Sequence, residues 1–92
     1  MTQISLEQPG TGKRVDLTPQ WVQAFLDELA RTSRHQSKTT LTALIGTDAV
    51  VTVRTGSRTR VYNVRGRAGL EDVRTGRMRT FYMGLLLLEM LR

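Results

Sequence analysis

Ala49-Val50-Val51-Thr52-Val53-Arg54-Thr55-Gly56-Ser57-Arg58-Thr59-Arg60-Val61-Tyr62-Asn63-Val64-Arg65 reads as two strands folded about a two-residue turn. Gly56-Ser57 has the Gly-X composition of a turn whose first central residue takes positive φ, the geometry that matches strand twist. With Thr55 and Arg58 flanking it, Arg54 pairs with Thr59, Val53 with Arg60, Val51 with Tyr62 and Ala49 with Val64. Alternation then puts Val53, Val51, Ala49, Tyr62 and Val64 on one apolar face, with Arg60 at its rim. The opposite face carries Arg54, Thr52, Thr59, Val61, Asn63 and Arg65, and is polar and cationic. Tyr62 falls on the apolar side and is expected in the core.

Upstream, Ile4 and Leu6 alternate with polar residues before Pro9-Gly10-Thr11-Gly12, and Val15 and Leu17 alternate after it, which predicts a first hairpin. Thr18 as N-cap and Pro19 at the first helical position open an amphipathic helix over about 19–32, with Val22, Phe25, Leu26 and Leu29 at helical spacing. Trp21 widens the stripe; Asp27 and Glu28 read as solvated surface. Residues 32–38 contain no apolar side chain and predict a polar, mobile connection. Leu41, Ala43 and Ile45 alternate as a further strand.

Val53-Arg54-Thr55-Gly56 recurs twenty residues later as Val73-Arg74-Thr75-Gly76, and Tyr62 recurs as Tyr82. The echo suggests a second arginine-tipped hairpin beside the first. A copied register would face Arg74 with Arg79, and like charges directly across strands repel. A different register, a bound anion, or an early start of the last helix would each relieve this. The end of the chain, rich in Leu and Met, predicts a hydrophobic helix over about 80–91, with Thr80 as a cap. Its apolar residues exceed what one small core covers, so Leu85, Leu86, Leu88 and Leu91 are expected at a homodimer or partner interface. The fold class is a small α+β single domain spanning 1–92, mainly antiparallel hairpins in a meander, with these two helices.

Charge narrows the function. The chain has 92 residues, 14 basic and 8 acidic, for a formal net charge of +6. Within residues 54–79 lie Arg54, Arg58, Arg60, Arg65, Arg67, Arg74, Arg77 and Arg79 against only Glu71 and Asp72, so this stretch holds all of the net charge. Every one of these cations is arginine, whose planar fork meets phosphate or carboxylate with two hydrogen bonds.

Catalytic chemistry finds little support. The chain has no cysteine and one histidine, which excludes thiolate nucleophiles, redox pairs and zinc-finger sites. His35 sits in the apolar-free connection, where nothing would orient it as a base. Asp27 and Glu28 are adjacent on a helix and diverge; Glu71 and Asp72 are expected to neutralise nearby arginines. Pro9-Gly10-Thr11-Gly12-Lys13 lacks the spacing of a phosphate loop. No catalytic residue, metal site or cofactor is expected.

The leading expectation is a nucleic-acid-binding protein that meets phosphates through its arginine-rich hairpin surface, with Tyr62, Phe81 or Tyr82 available for stacking. The alternative is a non-enzymatic protein-binding module, such as a phage or plasmid accessory factor, an inhibitor of a host defence complex or an assembly subunit, docking the arginines on an acidic partner. No basic start with an apolar run marks a signal peptide, and no stretch is long enough to cross a membrane, so an intracellular, cytoplasmic protein is expected.

Overall fold

The structure is a computed structural model that describes residues 1–32, 37–38, 48–65 and 69–91. Its elements are β1 (Thr2–Glu7), β2 (Arg14–Asp16), α1 (Pro19–Thr32), β3 (Ser37–Lys38), β4 (Ala49–Thr55), β5 (Arg58–Arg65), β6 (Gly69–Asp72), β7 (Arg77–Thr80) and α2 (Gly84–Met90). They build an α+β fold around a seven-stranded sheet in the order β2-β1-β4-β5-β6-β7-β3, every neighbouring pair antiparallel.

The central hairpin has the register the turn dictates: Thr55 faces Arg58, Val53 faces Arg60, Val51 faces Tyr62 and Ala49 faces Val64. Gly56 takes φ 59°, and among the described residues none other than glycine has positive φ. Val51, Ala49 and Val64 are fully buried and Tyr62 is 1% exposed, so the alternating apolar face is the core face. Ile4 and Leu6 of β1 and Leu70 of β6 extend it to either side.

Helix α1 closes that face. Val22 and Phe25 are its buried apolar residues, one turn apart, and the Phe25 ring lies 4.9 Å from Phe81 and 6.3 Å from Tyr62. Leu87 and Leu91 from the chain end complete the same core. Burial of this kind, at roughly 25 cal/mol per Å² of apolar area, is the main force holding helix to sheet.

Two expectations need correction. The last helix begins at Gly84 rather than near residue 80, because Arg77–Thr80 forms β7 and pairs with β6; Thr80 is a strand residue, and Met83 occupies the N-cap without a side-chain hydrogen bond. Ser37 and Lys38, expected in an unstructured connection, pair with Met78 and Arg77. Pairing of this sort is carried by backbone groups and leaves no apolar pattern to read. The second hairpin also differs from the first: Arg79 faces Leu70 and Met78 faces Glu71, so Arg74 stays in the turn and the feared arginine pair does not form. The expected strand at Leu41, Ala43 and Ile45 and the connection holding His35 lie outside the described residues. Among the described residues, no helix is long and apolar enough to cross a membrane.

Candidate nucleic-acid interface

The eight arginines of residues 54–79 have three different fates among the described residues. Arg65 is spent internally: its Nε donates to Glu71 Oε1 at 2.9 Å and its Nη2 lies 2.8 Å from the same oxygen, with both side chains mostly covered. Asn63 Nδ2 donates to that carboxylate oxygen as well, at 3.2 Å. Arg79 is buried, at 7% exposure, and its Nη1 donates to the Leu29 carbonyl at 3.0 Å. A guanidinium there meets the negative end of the α1 dipole and occupies one of the carbonyls that the last helical turn leaves open. Arg67 lies outside the described residues.

The other five gather at one end of the sheet. Strand β4 runs into the Gly56-Ser57 turn and β5 runs back; β6 then runs in the direction of β4 and turns at Val73-Arg74-Thr75-Gly76. Both turns therefore lie at the same end. Arg54, Arg58 and Arg60 surround the first and Arg74 and Arg77 flank the second, all exposed. The two copies of the repeated motif thus share a place but not a structure. Val53 is a paired core residue, whereas Val73 is half exposed in the turn, its N–H donating to Val61 O at 3.1 Å. What they have in common is a glycine with positive φ, 59° at Gly56 and 70° at Gly76.

Strand β5 overruns β6 by Arg58–Val61, while β1 stays paired with β4 as far as Thr2 opposite Thr55, so the first turn and its arginines cap a three-stranded β1-β4-β5 end that reaches beyond the second turn. By alternation Arg54 lies on one face of the sheet and Arg58 and Arg60 on the other. The cations accordingly embrace the tip from both sides instead of paving one face.

The one carboxylate near these turns is directed inward. Asp72 is 8% exposed, and its Oδ1 accepts the Arg74 N–H at 2.9 Å while its carbonyl accepts Gly76 N–H at 2.8 Å. This is an Asx-type turn, with the side chain standing in for a backbone acceptor. Thr75 Oγ1 supports the exit by accepting Arg77 N–H at 3.3 Å. Arg60 holds its proton more firmly than an ordinary arginine, first through the neighbouring Tyr62 hydroxyl and to a smaller degree through Asp72.

Stacking partners are scarcer than expected. Tyr62 and Phe81 are buried in the core, and of the three aromatic candidates only Tyr82 is exposed. It lies beneath the Arg31 guanidinium, 5.7 Å from ring centroid to carbon. Glu28, expected on a solvated helix face, is mostly covered: its carboxylate accepts from Arg31 and, at 3.3 Å, from the Tyr82 N–H. That hydrogen bond is the main reason Arg31 holds its proton above the usual range.

The expected apolar interface divides in two. Leu91 belongs to the chain's own core at 3% exposure and Leu88 is partly buried, whereas Leu85 and Leu86 are about half exposed. A short helix with one stripe in the core leaves the opposite stripe open. Sequence reasoning missed Lys38, which pairs with Arg77 at the sheet edge beside the second turn; a charged residue in a polar stretch gives no strand signal. Comparison of the chain with family models, with curated proteins and with solved structures found no match.

Proposed function

We propose that the protein binds duplex DNA by setting the β4–β5 turn against the backbone and clamping phosphates with Arg54, Arg58 and Arg60, while Arg74 and Arg77 reach the adjoining backbone. The observation that carries this reading is the convergence of both arginine-bearing turns on one end of the sheet. Cations on both faces of the sheet at the first turn suit contacts to the phosphate backbone. With no exposed aromatic at the tip and short polar residues between the arginines, contacts to phosphate dominate over base reading.

The test is a titration of fluorescent duplex DNA at several salt concentrations. Neutralising about five phosphates gives a log–log slope of about −4 to −5, and changing Arg58, Arg60 and Arg74 together to Ala reduces it to about −2. Binding that ignores salt, or that survives the triple change, overturns the reading.

A second reading, a protein-binding module, draws support from the open stripe of α2, where Tyr82, Leu85 and Leu86 are 67%, 46% and 47% exposed. Of the four leucines expected at a homodimer or partner interface, Leu85 and Leu86 are the two left to serve it. Sedimentation at micromolar concentration tests the dimer; a monomer throughout removes it.

A further inference from the structure

The β1 edge of the sheet, beside the first turn, carries a cleft that the arginine tips alone do not explain. Strand β2 covers β1 only from Ser5 to Glu7. The Leu17 N–H donates to Ile4 O at 2.9 Å, and the chain then departs into α1. Beyond that point the edge of β1 opens onto a cleft of about 550 Å³, within the size range of built ligand sites.

Its walls differ in character. One is the sheet face that bears Gln3, Ser5, Thr52 and Arg54; the other is the apolar space under α1, formed by Leu17, Val22 and Leu26. Between them runs the β1 backbone. In an antiparallel ladder the N–H and C=O of one residue point the same way and alternate along the strand. Because Ile4 O faces the β2 side, the N–H and C=O of Thr2 face that side too, past the end of β2. The site thus combines an open strand edge with a polar wall and an apolar wall. Side chains on the two sides of an added strand alternate with the same period.

We propose that this cleft receives an extended peptide segment as an added strand alongside β1, with apolar side chains under α1 and acidic side chains toward Arg54. Backbone pairing at an exposed edge, with alternate side chains in separate pockets, is the recognition mode of strand addition. The acidic preference comes from charge: Arg14 already has Asp16 beside it, Nε to Oδ1 3.6 Å, which leaves Arg54 as the cation facing the cleft. The proposal shares Arg54 with the proposed nucleic-acid surface but stands on the open β1 edge and the apolar wall.

The experiment is a titration of the isotope-labelled full chain with a capped hexapeptide alternating glutamate and valine, followed by amide chemical shifts. Saturable shifts are expected at Thr2 to Ser5 and from Leu17 to Leu26. Thr2→Pro, which removes the outward N–H, weakens binding about tenfold or more, while Thr2→Val, which keeps it, binds as the native chain does. Leu26→Glu weakens binding similarly through the apolar wall. No shift up to millimolar peptide, shifts confined to residues 54–60 and 73–77, or equal binding of the lysine–valine peptide would each overturn the proposal.

Discussion

Arg79 and Leu29 stand fifty residues apart in sequence, yet the guanidinium of one donates a 3.0 Å hydrogen bond to the carbonyl of the other. That bond joins β7 to the last turn of α1 and takes a cation out of the proposed binding surface. Arg79→Met keeps most of the aliphatic packing but takes the charged donor from the Leu29 carbonyl, which keeps only the longer hydrogen bond from Thr32 Oγ1 at 3.4 Å. A loss of about 1–3 kcal/mol in urea unfolding is expected, since hydrogen bonds to charged groups are worth about that much. DNA affinity of the folded variant stays native. Unchanged stability would show that the bond contributes nothing.

Tyr62 presents the reverse case. Its hydroxyl is buried and, among the described residues, has no partner in hydrogen-bonding geometry. Arg60, two residues away on the same face, lies close enough for that oxygen to strengthen its hold on its proton. Removing an unsatisfied buried polar group relieves a desolvation cost, so Tyr62→Phe should leave stability unchanged or raise it by about 1 kcal/mol. A drop in melting temperature would mean that Arg60 does close the bond in solution.

Two glycines are needed for different reasons. At Gly69 an added Cβ would sit 2.5 Å from the Arg65 carbonyl oxygen, a backbone atom that cannot swing aside. Gly69→Ala must therefore shift the β5–β6 connection, at a cost of about 1–3 kcal/mol. At Gly56 the space is open and only the φ of 59° resists a side chain. Gly56→Ala should cost about 1 kcal/mol. Chemical denaturation of the two variants side by side reads the difference, and the opposite ranking would contradict the packing at Gly69.

Binding to DNA should be flat in pH from about 6 to 9, because every cation assigned to the interface is an arginine. The sign is clear for Arg60. Its proton is held more tightly in the folded chain than in the unfolded one, so its contribution is fully present at all pH below the ordinary arginine range and is lost only as pH rises beyond it. Affinity measured at constant ionic strength across this range checks it; a step near neutrality would implicate a group outside the five arginines.

How far the residues alone reach is clearest at the central hairpin. Gly56-Ser57 and the alternation of Val51, Val53, Tyr62 and Val64 prescribe turn, register and core face together, because a slip of one residue would move every apolar side chain to the wrong side. Helix α1 was equally legible from Thr18-Pro19 and its apolar spacing. The last helix was legible in type but not in its start. Arg77-Met78-Arg79-Thr80 has no local strand pattern and becomes β7 only because β6 offers it a backbone edge. For the same reason Ser37 and Lys38 gave no sign of pairing.

The arginine cluster divides along the same line. Composition and spacing by themselves determine that residues 54–79 are strongly cationic and that two glycine turns punctuate them. Only the tertiary structure decides which charges are free to meet a partner. Arg65 finds Glu71 across a strand pair, Arg79 finds the end of a helix, and Arg54, Arg58, Arg60, Arg74 and Arg77 are left together at one end of the sheet. The physical reason is that side-chain type is local, whereas burial and charge pairing depend on which distant backbone arrives beside each residue.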